Sequence, residues 1–233
     1  MRSDLSCSRK RGDNVARLNP DALRLYLVTD QSLMRGRSLV DLVDAAVQGG
    51  VSCVQLREKH LGTREFVEQA LMLKKLLAPH RVPLVINDRI DVALACGAEG
   101  VHLGQRDLPV DQARRLLPPE VFIGWSVETM DDVAQSAGLP LDYLGVSPVF
   151  ATPTKTDTKN FWGLQGLIAV RAATRLPLVA IGGIHAGNAS DVLRAGADGL
   201  AVVSALCAAD DPGTAAAELR SLCDAELKTR GLR

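Results

Sequence analysis

Short apolar runs alternate with longer amphipathic runs along this chain, and that alternation restricts the possible folds more than any other feature. Eight runs have the length of strands, and most are β-branched and apolar on both faces, as buried parallel strands are. Their starts recur about every 25 residues, the length of one strand and helix unit. The pattern predicts strands at 23–30, 52–57, 83–88, 100–104, 122–127, 143–149, 177–184 and 199–206.

Runs with helical periodicity lie between these strands. The run from Thr63 has a threonine as candidate N-cap and Glu65 in its first turn. Residues 96–104 and 195–204 resemble each other, as if one helix-to-strand joint were used twice. Eight such units favour an α/β fold of the (β/α)₈ TIM barrel type, in a single domain. A doubly wound open sheet is the alternative, weakened by the lack of G-x-G-x-x-G after the first strand.

Composition and charge exclude several classes of function. Aromatic residues make up only 3% of the chain, which argues against a surface that stacks nucleic-acid bases. Lys plus Arg equals Asp plus Glu, 27 each, so no net charge steers the protein to nucleic acid or to an acidic membrane. No stretch is long and apolar enough to span a membrane. Five cysteines without C-x-x-C spacing indicate buried free thiols and a cytoplasmic location.

The first 21 residues differ from the rest of the chain. They carry charge but no apolar segment of the kind found in secretory signals, and Asp4 and Asp13 argue against an organelle transit peptide. We interpret residues 1–21 as a mobile N-terminal extension and residues 22–233 as the barrel domain. The sequence leaves the oligomeric state open, a homo-oligomer included.

Polar residues stand at the ends of several predicted strands, whereas core strands normally end in neutral residues. In a barrel the carboxyl-terminal ends of the strands form one rim, and functional sites form there. At the end of strand 2, Gln55 and Arg57 share one face and Lys59 follows. A solvated charge cluster at the start of a helix is the alternative, but this run leaves a buried strand directly. We therefore expect these three residues in a site.

Carboxylates follow strands 3 and 4. Asn87 and Asp88 end strand 3, where Asp88 could also be a helix N-cap, and Asp107 lies on the loop after strand 4. Asp88 and Asp107 on neighbouring loops could share Mg²⁺, which takes one or two protein carboxylates together with water and substrate phosphates. His102, in strand 4, is expected in the core or at the rim.

Hydroxyl groups and glycines follow the remaining strands. Ser126 lacks the surroundings of a nucleophile and is expected to form hydrogen bonds. The run 147–160 carries the cation Lys155 beside several threonines, Thr152 and Thr154 among them. Gly182 and Gly183 after strand 7, with Ser204 after strand 8, predict a phosphate site. Two anionic groups are therefore expected, and charge stabilisation of a leaving pyrophosphate or of a transferring phosphoryl group is the expected chemistry.

Seven ordered motifs at these strand ends resemble the thiamine-phosphate synthase (thiamine-phosphate pyrophosphorylase) family, over about residues 23–206. The motifs are VQLREK, INDR, VHLGQRD, GWSVET, YLGVSPVFATPTKTDT, AIGGI and AVVSA. The resemblance implies a barrel enzyme of thiamine biosynthesis that joins 4-amino-5-hydroxymethyl-2-methylpyrimidine diphosphate to a thiazole phosphate, with or without an extra carboxylate. Thiamine phosphate and pyrophosphate would be the products.

The resemblance also implies a role for each matching residue. Arg57, Lys59, Ser126 and Lys155 would be the catalytic groups and, with Gln55 and Asn87, would hold the pyrimidine diphosphate. Asp88 and Asp107 would hold Mg²⁺. The thiazole phosphate would be held by Thr152, Thr154, Gly183, Val203 and Ser204.

This chain departs from the family pattern at three positions, where Ser147, Ala151 and Arg106 replace the usual Gly, Pro and Glu. Two rival functions share the barrel: a thiazole tautomerase, which needs neither metal nor diphosphate residues, and a non-catalytic thiamine-phosphate binder. The joint presence of Arg57, Lys59, Lys155 and the carboxylate pair favours the synthase.

Overall fold

A computed structural model describes residues 18–152 and 161–231, and in this part of the chain the strands close into a ring. Each strand pairs in parallel with its neighbour in sequence, and the last pairs with the first. The strands β1 to β8 are Leu25–Val28, Cys53–Leu56, Leu84–Asn87, Gly100–Leu103, Phe122–Val127, Tyr143–Val146, Leu178–Ile181 and Gly199–Val202. The predicted barrel is confirmed, and the open sheet is excluded because β8 closes on β1.

Helices alternate with the strands and cover the outside of the ring. The helices α1 to α9 are Leu39–Gln48, Thr63–Leu77, Ile90–Cys96, Val110–Leu116, Met130–Ser136, Gly163–Ala173, Ala186–Arg194, Ser204–Cys207 and Pro212–Thr229. Three short 3-10 helices lie at Pro20–Leu23, Gln31–Leu33 and Ala78–His80.

The core has two layers that the closed sheet separates. The outer layer lies between strands and helices and contains residues such as Leu27, Ile86 and Leu73. The inner layer fills the ring, where Tyr26 and Tyr143 pack with smaller side chains. Every strand is therefore buried on both faces, which explains its continuous apolar sequence.

Residues 18–21 of the predicted extension lead into this core. Leu18 packs against the inner layer, and the Asn19 side chain accepts a hydrogen bond from Asp21 N at the start of the first 3-10 helix. Residues 1–17 lie outside the described residues.

Glycines in neighbouring strands make room for the rings inside the barrel. A Cβ atom on Gly124 would lie 2.0 Å from Cζ of Tyr143, and one on Gly145 would lie 2.8 Å from Cε1 of His102. The side chains of Tyr143 and His102 thus occupy the space that a larger residue at Gly124 or Gly145 would need.

The two similar joints of the sequence have the same structure, as predicted. Gly97 is the C-cap of α3 and Gly196 follows the C-cap of α7, with positive φ angles of 65° and 118°. Glu99 then accepts a hydrogen bond from Leu84 N, and Asp198 accepts one from Leu178 N, each at 2.9 Å. The acidic residue just before β4 thus holds the first residue of β3, and the acidic residue just before β8 holds the first residue of β7.

Several predicted strands run past the observed ones, those predicted at 23–30, 143–149 and 177–184 among them, and one predicted helix cap is wrong. The eighth strand ends at Val202 instead of residue 206, because the chain turns at Val203 and the amide of Cys207 donates to the Val203 carbonyl, closing a helical turn. Thr63 is the first residue of α2 and not its N-cap, which is Gly62. The Thr63 hydroxyl instead accepts a hydrogen bond from Arg89 at 2.9 Å.

Four cysteines are buried and unpaired, as predicted: Cys53, Cys96, Cys207 and Cys223. Burial raises the pKa of Cys207 to about 11 and that of Cys223 to about 12, so both remain thiols at neutral pH. Cys7 lies outside the described residues.

Candidate active site

The carboxyl-terminal ends of the strands form one rim of the barrel, and the predicted residues from β2 to β5 lie at this rim. Gln55 and Asn87 are strand residues, 5% and 7% exposed. Ser126 is half-buried near the end of β5. A polar group buried so deeply needs partners, and those partners determine the geometry of the site.

Residues at the end of β1 hold Arg57 in place. The amide of Arg57 donates to the hydroxyl of Thr29, which is fully buried, at 3.0 Å. Its guanidinium lies 3.3 Å from the carboxylate of Asp30. Neither Thr29 nor Asp30 was predicted from the sequence, although both directly follow β1 and the rim rule that found the other residues would have included them.

Lys59 and Asp88 meet between the loops that follow β2 and β3. Lys59 Nζ donates to Asp88 Oδ2 at 2.5 Å. Asp88 has a φ of 62°, a left-handed conformation that is uncommon outside glycine, and its amide donates to the carbonyl of His102 at 2.9 Å. Asp88 is not a helix cap, because the N-cap position of α3 is Arg89.

Asp107 reaches the same place from the loop after β4. Its carboxylate accepts a hydrogen bond from Gly104 N at 2.6 Å. Burial raises the pKa of Asp107, and the nearby carboxyl of Asp88 raises it further, while the Gly104 amide and Lys59 act in the opposite direction. The carboxyl groups of Asp88 and Asp107 are thus close enough to repel each other when both are ionised.

This pair fits an Mg²⁺ ion better than a metal held entirely by protein ligands. Among residues 18–152 and 161–231, no group of three or more His, Cys, Asp or Glu side chains could hold a metal. Two carboxylates match the way Mg²⁺ binds, with water and substrate phosphates as its other ligands. The donor set suits the predicted ion, and the ion itself stays a prediction.

A chain of hydrogen bonds crosses the interior of the barrel beneath the rim. Gln55 Nε2 donates to the hydroxyl of Tyr26 at 2.9 Å, and that hydroxyl lies 3.0 Å from the hydroxyl of Tyr143. The Tyr143 hydroxyl lies 2.9 Å from His102 Nδ1, and His102 Nε2 lies 2.8 Å from Ser126 Oγ. His102 is therefore an interior residue, and Gln55 and Ser126 are joined across the ring.

The loop after β6 packs along the end of β7. Val149 N donates to the Ile181 carbonyl and Phe150 N to the Gly182 carbonyl. A Cβ atom on Gly183, whose φ is 64°, would lie 2.8 Å from Cβ of Phe150. The glycine turn thus lets this loop approach closely.

The remaining predicted residues of this side are only partly described. Thr152 is half-buried at the end of the described loop, whereas Thr154 and Lys155 lie outside the described residues. Val203 is half-buried and Ser204 is exposed at the start of α8. Of the departures from the family pattern, Arg106 and Ala151 are exposed and Ser147 is buried.

A cavity of about 740 Å³ lies at the opposite end of the barrel, near the start of β1 and the end of α6. Two of its arginines are held by one carboxylate: Arg171 lies 2.9 Å and Arg230 lies 3.5 Å from Asp198. The lining of this cavity includes none of the site residues predicted from the sequence, so we assign the site to the rim. Of the helices in the described part of the chain, none is both long and apolar enough to cross a membrane.

Comparison with known proteins identifies relatives over most of the chain. The family model described as thiamine monophosphate synthase matches residues 25–206. A thiamine-phosphate synthase from Albidiferax ferrireducens is 76% identical over 204 residues, which are 88% of this chain and 93% of that protein. One from Vibrio parahaemolyticus is 52% identical over 88% of this chain and 100% of its own length. A solved structure, thiamine phosphate pyrophosphorylase from Pyrococcus furiosus, superposes with a TM-score of 0.82 at 36% identity, covering 89% of this chain and 98% of that one.

Proposed function

Because the chain belongs to the thiamine monophosphate synthase family, we propose that its rim joins two phosphorylated substrates and releases pyrophosphate. Its activity is that of a thiamine-phosphate synthase, a transferase. The proposed substrates are 4-amino-5-hydroxymethyl-2-methylpyrimidine diphosphate and 4-methyl-5-(2-phosphooxyethyl)thiazole or its carboxylated form. The products are thiamine phosphate and pyrophosphate.

The observation that carries this assignment is the meeting of Lys59, Asp88 and Asp107 at one point of the rim. A cation next to two carboxylates suits a site for a diphosphate that arrives with a divalent ion. A thiazole tautomerase would have no need of this arrangement, and neither would a protein that only binds thiamine phosphate.

Asp88 and Asp107 would hold Mg²⁺, which would neutralise charge on the departing diphosphate. The ammonium of Lys59, released from Asp88, would turn to a diphosphate oxygen. Arg57, anchored by Asp30, would bind another oxygen through its planar fork. Lys155 would approach the same group from the loop after β6.

Gln55, Asn87 and Ser126 would hold the pyrimidine ring. The ring's amino group pushes electrons toward the methylene carbon, so the bond from that carbon to the diphosphate oxygen breaks and the oxygen keeps the electron pair. The thiazole nitrogen then donates its lone pair to the carbon. No general base is needed at the nitrogen, because its attacking lone pair carries no proton. The protein contributes orientation and charge stabilisation.

The thiazole phosphate would lie on the other side of the rim. Thr152, Thr154 and Ser204 offer hydroxyl donors, and Gly183 and Val203 offer backbone amides. The close packing of Gly183 against Phe150 supports this placement, because it brings the loop of Thr152 next to the glycine turn.

The test is synthesis by the purified protein with both substrates and Mg²⁺, measured as pyrophosphate and thiamine phosphate formed together. Each substrate alone is the control and should give neither product. Folded protein that forms no thiamine phosphate would refute the proposal. Isomerisation of the thiazole without Mg²⁺ would point to the tautomerase, and binding of thiamine phosphate without turnover would point to a binding protein.

A further inference from the structure

We infer that Tyr26, Tyr143 and His102 are positioning residues that fix which hydrogen-bonding groups Gln55 and Ser126 present to the pyrimidine. The inference rests on the proposed function, because it assumes that these two residues bind that ring. It goes further by explaining how residues that lie behind Gln55 and Ser126 could determine recognition.

The tyrosine end of the chain of hydrogen bonds is shielded from water, whereas His102 and Ser126 are half-buried. Tyr26 and Tyr143 are 1% and 0% exposed, so their hydroxyl groups must find partners within the barrel. The rings are fixed as well: His102 stacks on Tyr143 with 5.6 Å between ring centroids and 29° between planes. Both rings also lie directly against strand backbone, because a Cβ atom on Gly124 would overlap Tyr143 and one on Gly145 would overlap His102.

The number of available protons then determines the direction of each bond. Gln55 donates to the Tyr26 hydroxyl, whose own proton is left for Tyr143. The Tyr143 proton is then left for His102 Nδ1. A neutral imidazole that accepts at Nδ1 carries its proton at Nε2, and so it donates to Ser126 Oγ.

With the opposite direction of donation, one hydroxyl of the chain has only a weak acceptor. If His102 donated to Tyr143 and Tyr143 to Tyr26, the Tyr26 proton would have to go to the thiol of Cys53, because Gln55 presents its NH₂ group and not its carbonyl oxygen to this hydroxyl. Sulfur is a weak acceptor, and a buried hydroxyl so paired loses stabilisation. The first direction gives each hydroxyl along the chain a strong acceptor.

This direction of donation has a consequence for recognition of the pyrimidine ring. Ser126 already accepts from His102, so its own proton is free to point toward the substrate and bind a ring nitrogen. Gln55 uses one amide proton for Tyr26, which turns its carbonyl oxygen toward a donor such as an exocyclic amino group. An amino group next to an unprotonated ring nitrogen is the 4-aminopyrimidine pattern, whereas a 4-oxopyrimidine presents the reverse pattern.

Tyr143→Phe tests the inference, because it keeps the ring and removes the proton that fixes His102. We expect kcat/KM for the pyrimidine diphosphate to fall on the order of tenfold, with the KM for the thiazole phosphate unchanged. The 4-oxo analogue, used as a competitive inhibitor, should lose less affinity than the substrate. An equal loss for both would overturn the inference, since simple loosening of the core makes no distinction between them.

A double-mutant cycle shows through which residue Tyr143 acts. In a Ser126→Ala background, Tyr143→Phe should have almost no further effect, whereas in a Gln55→Ala background its full effect should remain. Tyr26→Phe is the matched control. Its effect should almost vanish in the Gln55→Ala background and remain in full in the Ser126→Ala background. Full additivity of Tyr143→Phe with Ser126→Ala would refute the inference while leaving the synthase activity of the wild-type protein intact.

The tautomer of His102 can be measured without substrate and without any variant of Tyr143. Nitrogen-15 chemical shifts of the four histidines, assigned with His102→Gln, should show His102 neutral with its proton on Nε2. A proton on Nδ1 would refute the inference even in a protein with full activity. Absence of thiamine phosphate synthesis by the wild type, with the expected tautomer present, would instead refute the proposed function.

Discussion

Lys59 Nζ lies 2.5 Å from Asp88 Oδ2, so the loops that follow β2 and β3 are joined by an ion pair at the rim. The lysine side chain is 46% exposed and that of the aspartate 24%, which makes this a pair that solvent can weaken. Asp107 is the second carboxylate beside it. If Asp88 and Asp107 hold a divalent cation as proposed, Lys59 occupies part of that site, and metal binding should compete with this ion pair.

Replacing Lys59 by Met should have opposite effects on metal binding and on synthesis. Without the competing ammonium, Mg²⁺ should bind the substrate-free protein more tightly, by up to about fivefold. Synthesis should slow, because a cation beside the leaving diphosphate is lost. Calorimetric titration with Mg²⁺ and steady-state kinetics measure the two effects. Weaker metal binding in this variant would contradict the competition.

Asp88→Asn should raise the Mg²⁺ concentration needed for half-maximal synthesis by at least about tenfold, since one of two carboxylate ligands becomes a neutral amide. Asp111→Asn, in α4, is a matched control with a carboxylate outside the site. Titrations of pyrophosphate release against Mg²⁺ give both values. An unchanged requirement in Asp88→Asn would make this residue a structural partner of Lys59 only.

Lys155→Ala should lower turnover by roughly 10²- to 10³-fold, by analogy with the loss of a donor that stabilises a developing negative charge. This prediction follows from the family resemblance, because Lys155 lies outside the described residues. Lys159→Ala is the control within the same segment, and its turnover should stay near that of the wild type. An equal loss of turnover in both variants would show that Lys155 is not one of the catalytic groups.

Gly124→Ala should destabilise the protein, because the new methyl group would lie 2.0 Å from the ring of Tyr143. Overpacking of this kind costs about 1–3 kcal/mol, or a fall in Tm of roughly 2–4 °C for each kcal/mol in a chain of this size. Gly138→Ala is the control, since no atom lies within 4 Å of its added Cβ. Thermal unfolding of both variants measures the difference, and equal Tm values would contradict the packing described here.

The sequence predicts most of the fold because its strand signals are local. Each of the eight apolar runs contains the strand observed, and residues such as Arg57 and Asp88 could be placed at the rim because polar side chains directly follow those runs. The eighth predicted strand is too long because Ala205 and Leu206 are as apolar as strand residues, and only the turn at Val203 separates them from β8.

The interior hydrogen-bond chain could not be predicted from the sequence. A strand that is buried on both faces has no alternation to show which side chains face inward. That Tyr26 meets Tyr143, 117 residues later, depends on the register of strands around the ring. The ion pair of Arg57 with Asp30 depends likewise on how β1 lies beside β2.

The pairing of β8 with β1 also bears on how the protein behaves at high concentration. Because the ring is closed, every strand has a neighbour on each side, and its backbone amides and carbonyls are already bonded. An open sheet made of the same β-branched runs would leave two strands free to add strands from another molecule, which is how many aggregates start. Closure of the ring therefore protects this chain from aggregation without any charged or proline-rich edge.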